Sequence, residues 1–319
     1  MRFQLAVVLV LSLSGAAALA QTPETAEPAA LAQRAAKVRD RGYPPTLMAD
    51  RVETYKTVGD VSLKLWFYLP ENHQPTDARP VAVFFFGGGW QSGTPQQFEP
   101  HCQHLAKRGV VAAVADYRVA SRHGVKANSC VADAKSAVRW IRQHAQELGV
   151  DPQRLVAGGG SAGGHLAACT GIVPGLEEAS EDAAVSSVPN ALVLFNPAVV
   201  LAPVAGTPPL NPARIANLRE RMGVEPTEIS PYHHVQAGAP PTIIFHGKAD
   251  TTVPYRTVEL FAAKMEKAGN RCKLCGYENQ GHSFFNFGRD DGSMYRITVK
   301  AMDEFLVDLG YLQPVPQEE

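Results

Sequence analysis

The chain has 319 residues, with 30 Lys and Arg against 31 Asp and Glu and a formal net charge of −1. It carries no basic run and no interleaving of basic with aromatic residues, which excludes nucleic acid as the expected partner. With 45 % hydrophobic residues, it is long enough to bury the core of one large α/β domain.

Arg2, an apolar run over residues 5–13 and the small-x-small triplet Ala18-Leu19-Ala20 have the layout of a secretory signal. Cleavage after Ala20 makes Gln21 the first mature residue, and no cysteine follows it for a lipid anchor. The apolar run is too short to span a bilayer, and no later stretch is long enough. A periplasmic or secreted protein without a membrane span is therefore expected. Residues 21–45, rich in Ala, Pro, Glu and Gln, read as a loosely held leader, and residues 46–313 as a single domain.

Residues 52–57 and 61–69 read as two strands joined across Gly59-Asp60, a hairpin signal. Residues 81–86 are a continuous apolar run, as in a central strand covered on both faces. The run ends in Gly87-Gly88-Gly89-Trp90. Such a glycine loop lets backbone N–H groups point into a cavity, which is how an oxyanion hole is built. Pro100 opens a short helix that Gly109 closes, and residues 110–117 form the next buried strand. Val131, Ala134, Val138, Ile141, Ala145 and Leu148 then recur at helical spacing, with Asn128 or Ser129 as cap and Gly149 as stop.

A strand over 154–157 feeds Gly159-Gly160-Ser161-Ala162-Gly163, followed by a helix over 162–170. The pentad fits the G-x-S-x-G nucleophile elbow, in which a sharp strand-to-helix turn exposes a serine oxygen. Glycine at 159 and 163 removes side chains that would strike the neighbouring strand and helix. Taken alone, the pentad reads equally as a glycine-rich turn that holds a phosphate or nothing.

Another strand covers 190–196. Residues 198–238 break the rhythm with many prolines and one short amphipathic piece at 215–222, as an inserted cap over the strand ends would. The strand 240–245 ends in His246-Gly247-Lys248-Ala249-Asp250, and the helix 255–268 closes at Gly269. The last strand, 271–277, is followed by Gln280-Gly281-His282 and a final helix at 295–309. This alternation predicts an α/β fold with a mostly parallel sheet covered by helices on both faces. Ligands bind beyond the carboxyl ends of such strands, and Ser161, the glycine loop, Asp250 and His282 all fall there.

The five cysteines are Cys102, Cys130, Cys169, Cys272 and Cys275. Cys272-x-x-Cys275 is half of a metal site without a second pair, and on a strand the two face opposite sides. His101-Cys102-x-His104 reads as polar residues on a short helix, so no metal is expected. A Cys102–Cys130 bridge is the pairing expected in an oxidising compartment.

In these motifs the chain resembles α/β-hydrolase serine esterases of the carboxylesterase and hormone-sensitive-lipase-like kind, nearest the bacterial acetyl- and feruloyl-esterase-like group. The matching residues are Gly87-Gly88-Gly89-Trp90, Asp116-Tyr117-Arg118, Asp133 to Trp140, the elbow, His246-Gly247-x-x-Asp250-x-x-Val253-Pro254 and Gly281-His282. The resemblance implies Ser161 as nucleophile, Asp250 as acid and His282 as base, in the family's chain order. It implies an oxyanion hole from the N–H groups of Ala162, Gly87 and Gly88, with Trp90 and Phe284 as pocket walls. It implies no metal or organic cofactor. One departure stands out: the family has histidine before the three glycines, where this chain has Phe86. The backbone donors survive that change, but the loop must be anchored differently.

Other histidines and acids are rivals for these roles. His165 lies inside the helix after the elbow and reads as structural, and His246 orients the loop to Asp250. His233 and His234 belong to the inserted segment and either line the site or cap a turn. Asp290 and Asp291 follow the base and break the order. The expected function is hydrolysis of short acyl esters, acetyl or feruloyl in type, on small molecules or plant polysaccharide, through an acyl-enzyme. A prolyl-oligopeptidase-like peptidase shares the His246 to Pro254 pattern but carries a large extra domain for which this chain has no room. A non-catalytic binding protein of the same fold would lack a triad residue, and none is missing. The acyl group, the alcohol and the oligomeric state stay open.

Overall fold

In the computed structural model, residues 43–207 and 212–314 are described. The expected signal segment and nearly all of the leader lie outside them. The strands are β1 (Arg51–Val58), β2 (Val61–Tyr68), β3 (Arg79–Phe85), β4 (Val111–Ala115), β5 (Val150–Gly160), β6 (Ala191–Phe195), β7 (Thr242–Gly247) and β8 (Cys272–Tyr277). They form one sheet in the order β1-β2-β4-β3-β5-β6-β7-β8. Only β2 runs against its neighbours; from β4 to β8 every pairing is parallel.

The helices are α1 (Glu99–Lys107), α2 (Ala120–His123), α3 (Ala127–Gln143), α4 (Ala162–Ile172), α5 (Pro212–Met222), α6 (Pro231–His234), α7 (Tyr255–Lys267) and α8 (Ser293–Asp308). Alternation along the central strands sorts the core into two layers. Val81, Val83 and Phe85 of β3 meet α3, α4 and α7 on one face, through residues such as Val138, Leu166 and Phe261. Ala82 and Phe84 meet α1 and α8 on the other, through Leu105, Met302 and Phe305. The apolar run of β3 after Arg79 is thus what two covered faces require.

Two expectations change. Cys102 belongs to one core layer and Cys130 to the other, so the sheet stands between them. All five cysteines are free, and the expected bridge is not formed. The start of α3 is Ala127, with extended Lys126 before it, and no side chain caps it. Asn128 Oδ1 instead accepts the N–H of Ser129 at 2.9 Å.

Among the described residues no helix is long and apolar enough to cross a membrane. The carboxyl ends of β3, β5, β7 and β8 open onto one edge of the sheet, from which the glycine loop, Ser161, Asp250 and His282 emerge.

Candidate active site

Ser161 lies between β5 and α4 with φ 55° and ψ −116°, a conformation a side chain adopts only under strain. The turn is tight because the elements on either side touch. A Cβ on Gly163 would lie 2.0 Å from the Phe85 carbonyl oxygen, and one on Gly159 would lie 2.5 Å from it. The Ser161 N–H donates to Phe195 O at 2.9 Å, and its own carbonyl accepts the His165 N–H at 2.9 Å. Strand, serine and helix are therefore locked without slack.

Asp250 follows β7. Its Oδ1 accepts the N–H groups of Thr252 and Val253 at 2.8 and 2.9 Å, which aims Oδ2 at His282 Nδ1, 2.7 Å away. His246 Nε2 lies 3.3 Å from the same oxygen and 2.8 Å from Val253 O, so this ring braces the acid loop as expected. Burial by itself raises the Asp250 pKa. The hydrogen bonds from His246, His282 and the Val253 N–H outweigh it and hold the carboxyl well below the usual carboxylate range. An ionised Asp250 fixes the proton of His282 on Nδ1. That leaves Nε2 as the acceptor facing Ser161 Oγ at 2.9 Å. The loop of the base is tied down in turn: the Ser283 N–H donates to Asn196 Oδ1 at 3.0 Å, and Arg289 Nη1 donates to His282 O at 2.8 Å.

The glycine loop is anchored by the residue that departs from the family pattern. Phe86 stacks on Tyr117 with ring centroids 4.1 Å apart, and the Tyr117 hydroxyl donates to Phe86 O at 2.7 Å. A Cβ on Gly87 would lie 3.4 Å from Ser161 Cβ, so the loop runs directly beside the serine. A Cβ on Gly88 would fall 1.9 Å from Ser92 O, which admits only glycine there. The Gly87 N–H, however, donates to Gln97 Oε1 at 2.6 Å. In this conformation Gly87 is not a free oxyanion donor, because its N–H is already engaged by the Gln97 carboxamide oxygen. Gln97 Nε2 also donates to Asn286 Oδ1 at 2.9 Å, so one side chain joins the glycine loop to the loop of the base.

A cavity of about 290 Å³ opens at Ser161 and Ala162, walled by Trp90, Val200, Leu218 and Pro254. Trp90 is held there by His165, whose Nδ1 accepts the indole N–H at 3.1 Å while Nε2 donates to Ile229 O at 2.8 Å. Burial pushes the pKa of His165 down to about 4, so it is a neutral strut, as its place inside the helix predicts. Phe284 is a correction: it is buried in the core layer of α8, against Tyr277 and Phe285, and does not reach the cavity. The main chain turns sharply at Ser283, φ 65°, which sends the following residue into the core.

The remaining rivals stand apart from the relay. His233 and His234 bond within the inserted segment, to Ser230 Oγ and Thr227 O. Asp291 accepts the Ser293 N–H at the start of α8, and exposed Asp290 lies beside Arg289. No group of His, Cys, Asp and Glu that could hold a metal occurs among the described residues. A larger open cleft of about 580 Å³, edged by Asp50, Glu71, Arg79 and Lys107, lies at the opposite end of β3. Sequence reading missed Gln97, Asn196 and Arg221. Asn196 ends a predicted strand and was findable by that position; the other two carry no local signal.

The BD-FAE family model matches residues 65–265, which include the glycine loop, the elbow and Asp250. The chain belongs to the BD-FAE family. It thereby takes its place among α/β-hydrolase serine esterases of the hormone-sensitive-lipase-like group. This BD-FAE chain is 27 % identical over 236 residues to a probable isoprenylcysteine alpha-carbonyl methylesterase of Arabidopsis thaliana, covering 69 % of this chain and 48 % of that one. It is 28 % identical over 265 residues to esterase LipC of Mycobacterium tuberculosis, covering 78 % and 63 %. It thus spans about half the length of several curated relatives it matches. Among solved structures, esterase 2 of Thermogutta terrifontis superposes with a TM-score of 0.82 at 56 % identity, over 86 % of this chain and 99 % of that one. That esterase has been solved phosphonylated by sarin, and with propionate or butyrate bound.

Proposed function

We propose that this protein is an exported serine carboxylesterase that cleaves short acyl esters through Ser161, His282 and Asp250. The observation that carries the reading is the continuous relay from Asp250 Oδ2 to His282 at 2.7 Å and from His282 to Ser161 Oγ at 2.9 Å. His282 Nε2 takes the hydroxyl proton as Ser161 Oγ attacks the ester carbonyl. The tetrahedral oxyanion is met by the N–H groups of Ala162 and Gly88, the first at the amino end of α4. His282 then gives its proton to the departing alcohol, and a water activated by the same imidazole hydrolyses the acyl-enzyme. Asp250 stays ionised throughout and stabilises the transient imidazolium.

The size and apolar walls of the cavity favour a short acyl group, and propionate and butyrate occupy esterase 2 of Thermogutta terrifontis. An acetyl or feruloyl ester of plant polysaccharide joins this reading to the signal-like residues 1–20, which favour a periplasmic or secreted location. The test is a panel of chromogenic esters of rising chain length with methyl ferulate, acetylated xylan and a prolyl anilide. Short esters are expected to lead, and Ser161→Ala to abolish both turnover and labelling by a fluorophosphonate probe. Anilide cleavage faster than every ester, or labelling that persists in the variant, overturns the reading.

A further inference from the structure

Arg221 sits where a neutral ester has no need of a cation. It lies in the last turn of α5 and borders two adjoining cavities, the one of about 290 Å³ at Ser161 and an outer one of about 210 Å³. Its Nη2 donates to Gly89 O at 2.8 Å, and its guanidinium carbon lies 5.5 Å from the Trp90 ring centroid. Its Nε is buried without a partner. Neighbouring Arg219 is held by Glu225 at 2.8 Å, but among the described residues Arg221 has no carboxylate partner. The other residues around the Ser161 cavity are uncharged, with Val200, Leu201, Leu218 and Val253 among them.

A guanidinium does not shed its proton in a protein, so a full positive charge faces a largely apolar pocket with only a carbonyl and a ring face against it. Its planar fork matches a carboxylate in two parallel hydrogen bonds. From these observations we infer that Arg221 is the counter-charge for a carboxylate on the substrate, and that the site selects esters whose acyl or alcohol part is anionic. Arg221 and Ser161 border the same cavity of about 290 Å³, so one small molecule can meet both.

This inference rests on the ester reading, and the experiment separates the two. Two matched pairs are assayed: 4-nitrophenyl hemiglutarate against 4-nitrophenyl valerate, and the acetyl ester of 4-hydroxybenzoate against that of 4-hydroxybenzamide. Arg221→Met slows all four substrates somewhat, because it also frees Gly89. On the anionic member of one pair kcat/KM is expected to fall a further roughly 10- to 100-fold, mainly through KM. The pair that responds tells whether the carboxylate belongs to the acyl or the alcohol side. Arg221→Lys keeps part of the preference. An equal fall on anionic and neutral members of both pairs overturns the inference and leaves Arg221 as a brace for the glycine loop. If no ester is turned over, the ester reading fails by itself. Calorimetry of glutarate on Ser161→Ala then still decides the charge: adding Arg221→Met should weaken binding at least about 10-fold, and unchanged or absent binding refutes it.

Discussion

Replacing Ser161 by glycine and by alanine in parallel measures the strain at the elbow. Both variants lose Oγ and its hydrogen bond to His282, so that loss cancels in the comparison. What differs is the Cβ, held at φ 55° and ψ −116°. A side chain in so sparsely populated a region costs about 1–3 kcal/mol. Glycine avoids that cost but gives up about 0.4–1 kcal/mol through the greater freedom of its unfolded chain. Ser161→Gly is therefore expected to be more stable than Ser161→Ala by about 0.5–2 kcal/mol, a shift in Tm of a few degrees for a protein of this size. At an ordinary helical site the sign is opposite. The same pair at exposed Lys300 in α8 should leave glycine less stable than alanine by about 1 kcal/mol. Calorimetric or urea unfolding of the four variants makes the test. Ser161→Ala at or above Ser161→Gly in stability would refute the claim that the serine is held under strain.

His101 is buried among Phe98, Phe195, Phe285 and Tyr295, with neither ring nitrogen partnered. Burial, aided by nearby His104, pushes its pKa from 6.5 down to about 3. Between those values the unfolded chain binds a proton that the native state does not, so this contribution to stability is full above pH 6.5 and is lost as pH falls. At pH 5 the loss amounts to about 2 kcal/mol. His101→Leu should flatten the fall of the urea midpoint between pH 7 and 5 without abolishing it, since His165 titrates the same way; an unchanged slope counts against the reasoning. For Gln97→Leu, which frees the Gly87 N–H and cuts the link to Asn286, kcat on 4-nitrophenyl acetate should fall roughly 10- to 100-fold with little change in Tm. Full activity in that variant would show that the bridge positions nothing.

The candidate site was legible wherever chemistry follows local order. Ser161, Asp250 and His282 each sit within five residues of a strand's carboxyl end, and parallel strands bring such positions to one edge whatever their separation in the chain. The errors share one origin. The Cys102–Cys130 pairing, Phe284 as a pocket wall and Gly87 as an oxyanion donor all depended on direction: which face of the sheet, which way a loop turns, which partner takes an N–H first. Gln97 and Arg221 were overlooked because each acts on a glycine outside its own local segment, ten and 132 residues earlier in the chain.

Periodicity, glycine placement and strand endings by themselves determined the doubly covered parallel sheet, the strained elbow and the edge at which Ser161, Asp250 and His282 gather, because each is a short-range constraint on backbone and packing; the roles of those three residues came from the family resemblance. Tertiary structure alone decided how the relay is braced and what surrounds it. The stack of Phe86 on Tyr117 stands where the family has a histidine, His165 fixes Trp90 at the cavity, and Arg221 of the inserted segment borders the cavity at Ser161 with no carboxylate partner among the described residues. These are contacts between side chains remote in sequence, and no local pattern encodes the direction in which a side chain meets its partner.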